Sequence, residues 1–206
     1  SINMRIKPKS IINSVGFTGI IGRGLKTKAT SPSGDVVYLR DVNLFRSDIS
    51  NWYEYWFGEI STVTNIAFTD LPAYGGMEVE IIVESGLGET VEMGSCILGS
   101  LEDIGFAVYG TQLGYTSFTR AEEDDFGNVT LSPRNSRRFV DFDVRVPTAR
   151  ISYITRMLRD IQDTPALYIG TNQIVATIIM GRFERLDTVL SNSAFCDMSL
   201  EVRSLE

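Results

Sequence analysis

The sequence predicts a mainly β protein of the α+β class, with an antiparallel β-sandwich followed by a β-rich domain that contains one amphipathic helix. Three observations lead to this prediction. Short runs rich in β-branched and aromatic residues follow one another across residues 35–105, with turn residues between them. Alternation of apolar and charged residues, typical of a strand, occurs in the second half in "RRFVDFDVRVP". Only one segment, "TARISYITRMLRDIQDTP", repeats its apolar residues at helical spacing.

Residues 1–34 are predicted to form a basic, glycine-rich arm and linker that precedes the sandwich. Residues 1–30 hold six basic side chains and no acidic one, which gives a net charge of +6, and four glycines fall between positions 16 and 24. Such a segment is expected to bury little apolar surface and to become ordered only on a partner. Its lysines include Lys26 and Lys28, which are candidates for subunit contact. The glycine spacing does not match a phosphate-binding loop.

The antiparallel sandwich is predicted over residues 35–105. Within it, "MEVEIIV" places apolar side chains on one face of a strand and glutamates on the other, the apolar set being Met77, Val79, Ile81 and Val83. The segment "TDLPAYGG" between two such runs is typical of a turn, because proline and glycine supply the backbone angles that turns require. Several short strands at this spacing favour a sandwich.

The stretch "NWYEYWF" concentrates aromatic residues inside the predicted sandwich. We interpret it as a strand, in which Trp52 and Trp56 share one face while Tyr53, Tyr55 and Phe57 share the other. At least one of these faces is then expected to lie in the core or in a subunit interface. Exposed aromatic rings can instead stack on sugars. Trp52, Tyr53, Tyr55 and Trp56 are therefore candidates for glycan or subunit contact, and a carbohydrate-binding module is the alternative function.

Residues 106–206 are predicted to form the α+β domain, which consists of a hairpin, a strand, the helix and further strands. The hairpin lies in "YTSFTRAEEDDFGNVTLSP", with its loop in the acidic run and Gly127-Asn128 at the turn. In "RRFVDFDVRVP" the alternation places one apolar set on a single face, namely Val140, Phe142, Val144 and Val146.

The helix is predicted to begin after Thr148, its N-cap, and to end before Pro165, which cannot continue it. Its apolar residues recur at steps of three and four and are Ile151, Ile154, Leu158 and Ile161. Strands are expected after the helix in "ALYIG", "QIVATIIMGRFERL" and "FCDMSLEVRSL".

Composition and motifs argue against an enzyme, a cofactor or a metal centre. The chain has 206 residues and no histidine, so the commonest general base and zinc ligand are missing. The triplet Asp125-Phe126-Gly127 lacks the upstream motifs of a kinase. A calcium-binding EF-hand loop that started at Glu122 would place Phe126 and Pro133 at ligand positions. A looser calcium site is the alternative to a solvated hairpin tip, and it would use Glu122, Glu123, Asp124 and Asp125.

The net charge and the hydropathy of the chain argue against nucleic-acid binding and against a membrane span. The net charge is −7 and the pI about 4.7, so specific nucleic-acid binding is not expected. We expect no membrane span and no export signal, because polar residues and glycines interrupt the apolar stretches. Cys96 and Cys196 are too few for a disulfide framework and are predicted to be free, buried thiols.

Taken in order, these pieces resemble a family of bacteriophage tail proteins. The resemblance covers residues 51–205, from "NWYEYWF" through "FTDLPAYGGMEVEIIVES", "GSCILGSLEDIGFAVYGTQLGYTSFTRAEEDDFGN" and "LRDIQDTPALYIG" to "MGRFERLDTVLSNSAFCDMSLEVRSLE". Where the family often has Gly-Phe-Tyr, this chain has Gly181-Arg182-Phe183. The resemblance implies a virion component of the tail or tail tip, made in the host cytoplasm and assembled with other tail proteins as a ring or collar. It brings no catalytic residues, and the alternative function would attach the particle to a host glycan.

The distribution of charge predicts how such a ring would be held together. Residues 31–133 carry a net charge of −14, whereas the basic side chains lie mostly on either side of that segment. We expect the acidic segment of one subunit to face basic groups of its neighbour in a closed homo-oligomeric ring. The candidates for these basic contacts are Lys26, Lys28, Arg134, Arg137 and Arg138, together with Arg150, Arg156 and Arg159.

Overall fold

A computed structural model describes residues 1–46, 51–57, 61–86, 88–123, 126–127, 129–171 and 174–205, without the side chains of Arg46, Glu54, Tyr55 and Ser61. The chain divides into two units, Ser1–Glu102 and Asp103–Glu206. The sequence places the start of the second domain at residue 106, three residues later. Antiparallel strands dominate both units, which confirms the predicted fold class.

The first unit is built from two antiparallel sheets. Its elements, in chain order, are β1 (Ile2–Ile6), β2 (Ser14–Thr18), β3 (Gly24–Thr30), β4 (Val36–Asn43), β5 (Phe45–Arg46), α1 (Trp52–Phe57), β6 (Ser61–Thr62), β7 (Ile66–Phe68), β8 (Glu78–Glu84) and β9 (Ser95–Gly99). One sheet has the order β1-β8-β3-β4 and the other β7-β2-β9, while β5 pairs with β6. Buried side chains from both sheets form one hydrophobic cluster, which includes Phe17, Leu25, Phe68 and Ile81.

The predicted arm at residues 1–34 is wrong, because these residues supply β1, β2 and β3 to the two sheets. In β3 the alternation buries Leu25, Thr27 and Ala29 and directs Lys26 and Lys28 outwards. The positive charge is compensated on the neighbouring strand β8. The pairs are Arg5 with Glu80 at 2.9 Å, Lys7 with Glu78 at 3.0 Å and Lys26 with Glu84 at 2.7 Å. Residues 1–34 therefore carry a high net positive charge and still contribute buried side chains to the sheets.

The second unit has one main sheet and a helix. Its strands are β10 (Phe106–Ala107), β11 (Gln112–Ser117), β12 (Arg120–Glu123), β13 (Val129–Ser132), β14 (Ser136–Pro147), β15 (Ala166–Ile169), β16 (Ile178–Val189) and β17 (Phe195–Ser204), and its helix is α2 (Ile151–Asp160). The main sheet has the order β10-β14-β17-β16-β15, and β11 also pairs with β14. All of these pairings are antiparallel.

The helix α2 covers the apolar face of this sheet. Ile154 and Leu158 are fully buried in the same cluster as Val140, Val146 and Leu200. The predicted inward face of β14 and the predicted helix are therefore confirmed. Neither α1 nor α2 is long and apolar enough to cross a membrane, within the described residues.

The predicted N-cap of α2 is wrong. Thr148 begins a short 3-10 turn, Thr148–Arg150, and α2 follows it without a side-chain cap. The Thr148 hydroxyl donates a hydrogen bond to the carbonyl oxygen of Asn192 at 3.4 Å instead. The 3-10 turn leads directly into α2, so Thr148 is already part of the helical segment and is not the residue that precedes it.

Candidate assembly surface

The strands β12 and β13 form a two-stranded ribbon, which we define as residues 120–132. Arg120 pairs with Ser132 at one end of the ribbon and Glu123 with Val129 at the other, so the predicted hairpin is confirmed. Gly127 lies near the tip with a φ of +81°, a left-handed conformation that glycine adopts without strain. Asp124, Asp125 and Asn128, which the hairpin prediction includes, lie outside the described residues.

The ribbon has two chemically different faces. Cross-strand partners point to the same side, so Ala121 and Glu123 share a face with Leu131 and Val129. This set is the apolar face of the ribbon. Val129 is 60% exposed and Leu131 is 64% exposed. On the opposite face the Arg120 guanidinium pairs with the Glu122 carboxylate at 2.9 Å.

No second layer covers the ribbon in the part of the chain that the structure describes. Every described residue of β12 and β13 is exposed, and these strands pair only with each other. In β14, by contrast, the apolar face is covered by α2. The apolar side chains of the ribbon thus alternate along the strands as they do where one face of a sheet is buried, but here they are exposed.

Exposed apolar side chains continue from the ribbon along residues 106–118 and at the ribbon tip. They are Phe106, Val108, Tyr109, Leu113, Tyr115, Phe118 and Phe126. Isolated exposed apolar residues are normal on protein surfaces, whereas contiguous exposed apolar patches are typical of interaction sites. Sequence analysis identified the hairpin without recognising this surface, although the alternation in "NVTLS" opposite "RAEE" is its signal.

The aromatic stretch is a short helix, α1, and the predicted strand is wrong. The stretch contains no β-branched residue, and helical geometry brings the rings of Tyr53 and Phe57 to a centroid separation of 5.0 Å. Trp52 is 76% exposed and Trp56 is 68% exposed, so the core alternative is wrong for these two rings and the subunit-interface alternative stays a prediction. The side chain of Tyr55 lies outside the described residues. Glycan and subunit contact remain as proposals for the exposed rings.

The predicted basic contact residues lie in different units and are largely engaged within the chain. Lys26 and Lys28 belong to β3 in the first unit, where Lys26 donates a hydrogen bond to Glu84 at 2.7 Å. In the second unit, the Arg137 guanidinium donates to the carbonyl oxygen of Ser204 at 2.8 Å, and that of Arg138 donates to the carbonyl oxygen of Ala176. Arg134 is exposed beside the ribbon. Because Lys26, Arg137 and Arg138 already form hydrogen bonds within the chain, they are less available for contact with a neighbouring subunit than their charges alone indicate.

A second ionic cluster, which sequence analysis did not identify, lies on the polar face of the main sheet. A register shift in β16 between Phe183 and Arg185 accommodates Glu184 as an additional residue. Glu184 lies 3.1 Å from Arg203, 3.7 Å from Arg137 and 3.8 Å from Arg182. One carboxylate thus holds three guanidinium groups together, which ties β14, β16 and β17 to each other.

Cys96 and Asp141, in the described part of the chain, have raised pKa values. Burial raises the pKa of the Cys96 thiol to about 11, so this thiol is protonated at neutral pH and is a poor nucleophile. Burial, with the neighbouring Glu201 and Asp143 carboxylates, also raises the pKa of Asp141. No cluster of three metal-ligating side chains occurs among the residues that the structure describes. Two members of the looser calcium site, Asp124 and Asp125, lie outside them.

Comparisons of this chain with known protein families, with curated proteins and with solved structures found no match.

Proposed function

We propose that this protein is a structural subunit of a bacteriophage tail, in the tail tip, a collar or a ring. Within it, the apolar face of the ribbon is buried against a neighbouring virion protein. The resemblance of residues 51–205 to tail proteins supports the location. The observation that carries the assembly role is the exposure of Val129 and Leu131 on a ribbon that pairs with no other strand in the described chain.

The energetics of a free ribbon support this role. A two-stranded hairpin alone is marginally stable in water, because it buries little apolar surface against the entropy of ordering its residues. Covering a Val or Leu side chain completely contributes about 1.5–3 kcal/mol. Burial of Val129 and Leu131 on a partner would therefore stabilise the ribbon and the complex together.

We expect the double variant Val129→Ser, Leu131→Ser to fold normally and to be lost from tails. These side chains make no core contact, so the melting temperature should stay within about 2 °C of wild type, as for other surface substitutions. The measurement is quantitative mass spectrometry of tails purified from the phage that encodes the chain, with the variant supplied in place of wild type.

The matched control is Thr130→Ala, Ser132→Ala, which changes the polar face of the same strand. It should assemble like wild type. If the wild-type chain is not found in purified tails, the proposed location is wrong. If the Val129→Ser, Leu131→Ser variant is present in tails at the wild-type level, the location holds and the assigned role of the ribbon is wrong.

A carbohydrate-binding role is the second candidate, and the exposure of Trp52 and Trp56 favours it. Their four-residue spacing on α1 places the two rings on neighbouring turns, where they can present aromatic surface to a sugar. This role would operate on the same particle, as part of its attachment to a host.

Alanine at Trp52 or Trp56 is expected to leave thermal stability nearly unchanged. The free energy of unfolding should change by less than about 0.5 kcal/mol, whereas a core tryptophan would cost about 3–5 kcal/mol. Thermal melting checks the first part. A glycan array checks the second: wild-type binding that disappears in both variants supports the carbohydrate role, and a wild-type protein that binds no glycan removes it.

A further inference from the structure

We propose that the apolar face of the ribbon docks on the exposed face of α2 in a second copy of this chain, with Glu123 opposite Arg156 and Arg159. The proposal rests on the proposed function, because it names the partner of the surface invoked there. It is carried by the charge and polarity of two surfaces within the second unit.

The exposed face of α2 carries two arginines and, four residues after the first of them, the carboxylate of Asp160. Arg156 and Arg159 are three residues apart and point away from the core face formed by Ile154 and Leu158. Neither arginine makes an ion pair in the part of the chain described by the structure. Most of the other arginines of the unit do make such a pair, namely Arg120, Arg137, Arg145, Arg150, Arg182, Arg185 and Arg203.

Apolar surface lies next to these arginines. Tyr153 precedes Arg156 by three residues and is 45% exposed. Met157 packs against the core but is only partly buried. The exposed face of α2 thus combines apolar surface with two cations and one anion, and its net charge is positive. A complementary partner would offer apolar side chains and at least one anion.

The ribbon has this composition. Glu123 lies opposite Val129 and on the same face as Leu131, and it makes no ion pair with any residue that the structure describes. The adjacent Glu122 points to the other face, where Arg120 neutralises it at 2.9 Å. Among the described residues of the ribbon, Glu123 is therefore the one carboxylate on the apolar face. An arginine opposite it would fix the register of docking more than it would add affinity.

The geometry makes this contact intermolecular. Within one chain, β12 and β13 pair only with each other, and both the ribbon and the arginine face of α2 are exposed. The two surfaces differ, so each subunit can give its ribbon to one neighbour and receive a ribbon from another. Contacts of this head-to-tail kind close into a ring when the rotation between neighbours closes, and form an open filament when it does not.

Charge reversal on both surfaces tests the contact by sedimentation of the purified full-length chain over a concentration series. We expect Glu123→Lys alone, and Arg156→Glu with Arg159→Glu, each to weaken self-association at least about tenfold. The triple variant that combines them should recover association to within about threefold of wild type. The two single-surface variants mixed together should associate in alternation, because each mixed interface pairs opposite charges whereas each variant alone pairs like charges.

The matched control is Glu122→Lys, which makes the same change of charge on the opposite face of the ribbon. It should associate like wild type. A triple variant that stays as weak as its parents would overturn the proposal, as would a Glu122→Lys variant as weak as Glu123→Lys. A wild-type chain that is monomeric at millimolar concentration but present in purified tails would also overturn it, because the ribbon would then dock on a different tail protein and the proposed function would stand. Absence from tails would refute the proposed function itself, independently of sedimentation.

Discussion

Phe17→Ala is expected to lower the free energy of unfolding of the first unit by about 3–5 kcal/mol. The Phe17 ring is fully buried in β2 and meets the ring of Phe68 edge-on, with centroids 6.0 Å apart. Its removal would leave a cavity beside Phe68, within the hydrophobic cluster to which both sheets contribute. The surrounding strands cannot collapse fully into such a cavity, so lost burial and lost packing add together.

Chemical denaturation of the variant measures this loss, and Phe57→Ala is the matched control. Phe57 is the same residue type in the same unit, but it is exposed, so its replacement should change stability by less than about 0.5 kcal/mol. The comparison also tests the position of residues 1–34 in the fold. Equal stability of the two variants would mean that Phe17 lies on an arm and not in the core.

Gly181→Ala is expected to destabilise the second unit by about 3 kcal/mol or more. A β-carbon at this position would overlap the carbonyl oxygen of Arg203 on β17 and would crowd the Cα of Ser204. Both are backbone atoms of the paired strand, so no side chain can rotate to make room. The β16 and β17 strands would have to separate where Gly181 pairs with Ser204.

Gly75→Ala provides the control for this prediction. Nothing lies within 4 Å of a β-carbon built at Gly75, so alanine should be tolerated there with little change in stability. Thermal melting of both variants gives the comparison. A Gly181→Ala protein that melts with wild type would show that β16 and β17 do not approach as closely as described.

Sequence patterns predicted the elements whose side-chain periodicity is strong. The alternation around Val140 and Phe142 predicted β14, and the spacing of Ile154 and Leu158 predicted α2; both elements bury the predicted face. In these segments the face that is apolar in the sequence is also the face that is buried, because α2 packs on the main sheet of the second unit. The hairpin at residues 120–132 was predicted from its turn residues, Gly127-Asn128, which are a local signal that needs no covering layer.

The prediction for residues 1–34 was wrong because it followed the composition of the segment and not the periodicity of its side chains. Net charge and glycine count predicted an arm for residues 1–34, yet the alternation of Leu25, Thr27 and Ala29 between two lysines is that of a strand. The charge is tolerated because Glu78, Glu80 and Glu84 lie 58 to 75 residues further along the chain than their basic partners. Such long-range compensation cannot be inferred from segment charge.

The sequence by itself determined which side chains of the ribbon share a face, because the alternation of a strand is a local property of the backbone. Only the tertiary structure decided that this face is exposed, since exposure depends on whether another layer packs there. The same holds for α1, where the aromatic residues are obvious in the sequence but their exposure is not. Val140 and Val129 are both valines in strands; α2 packs over the first, and no described element covers the second.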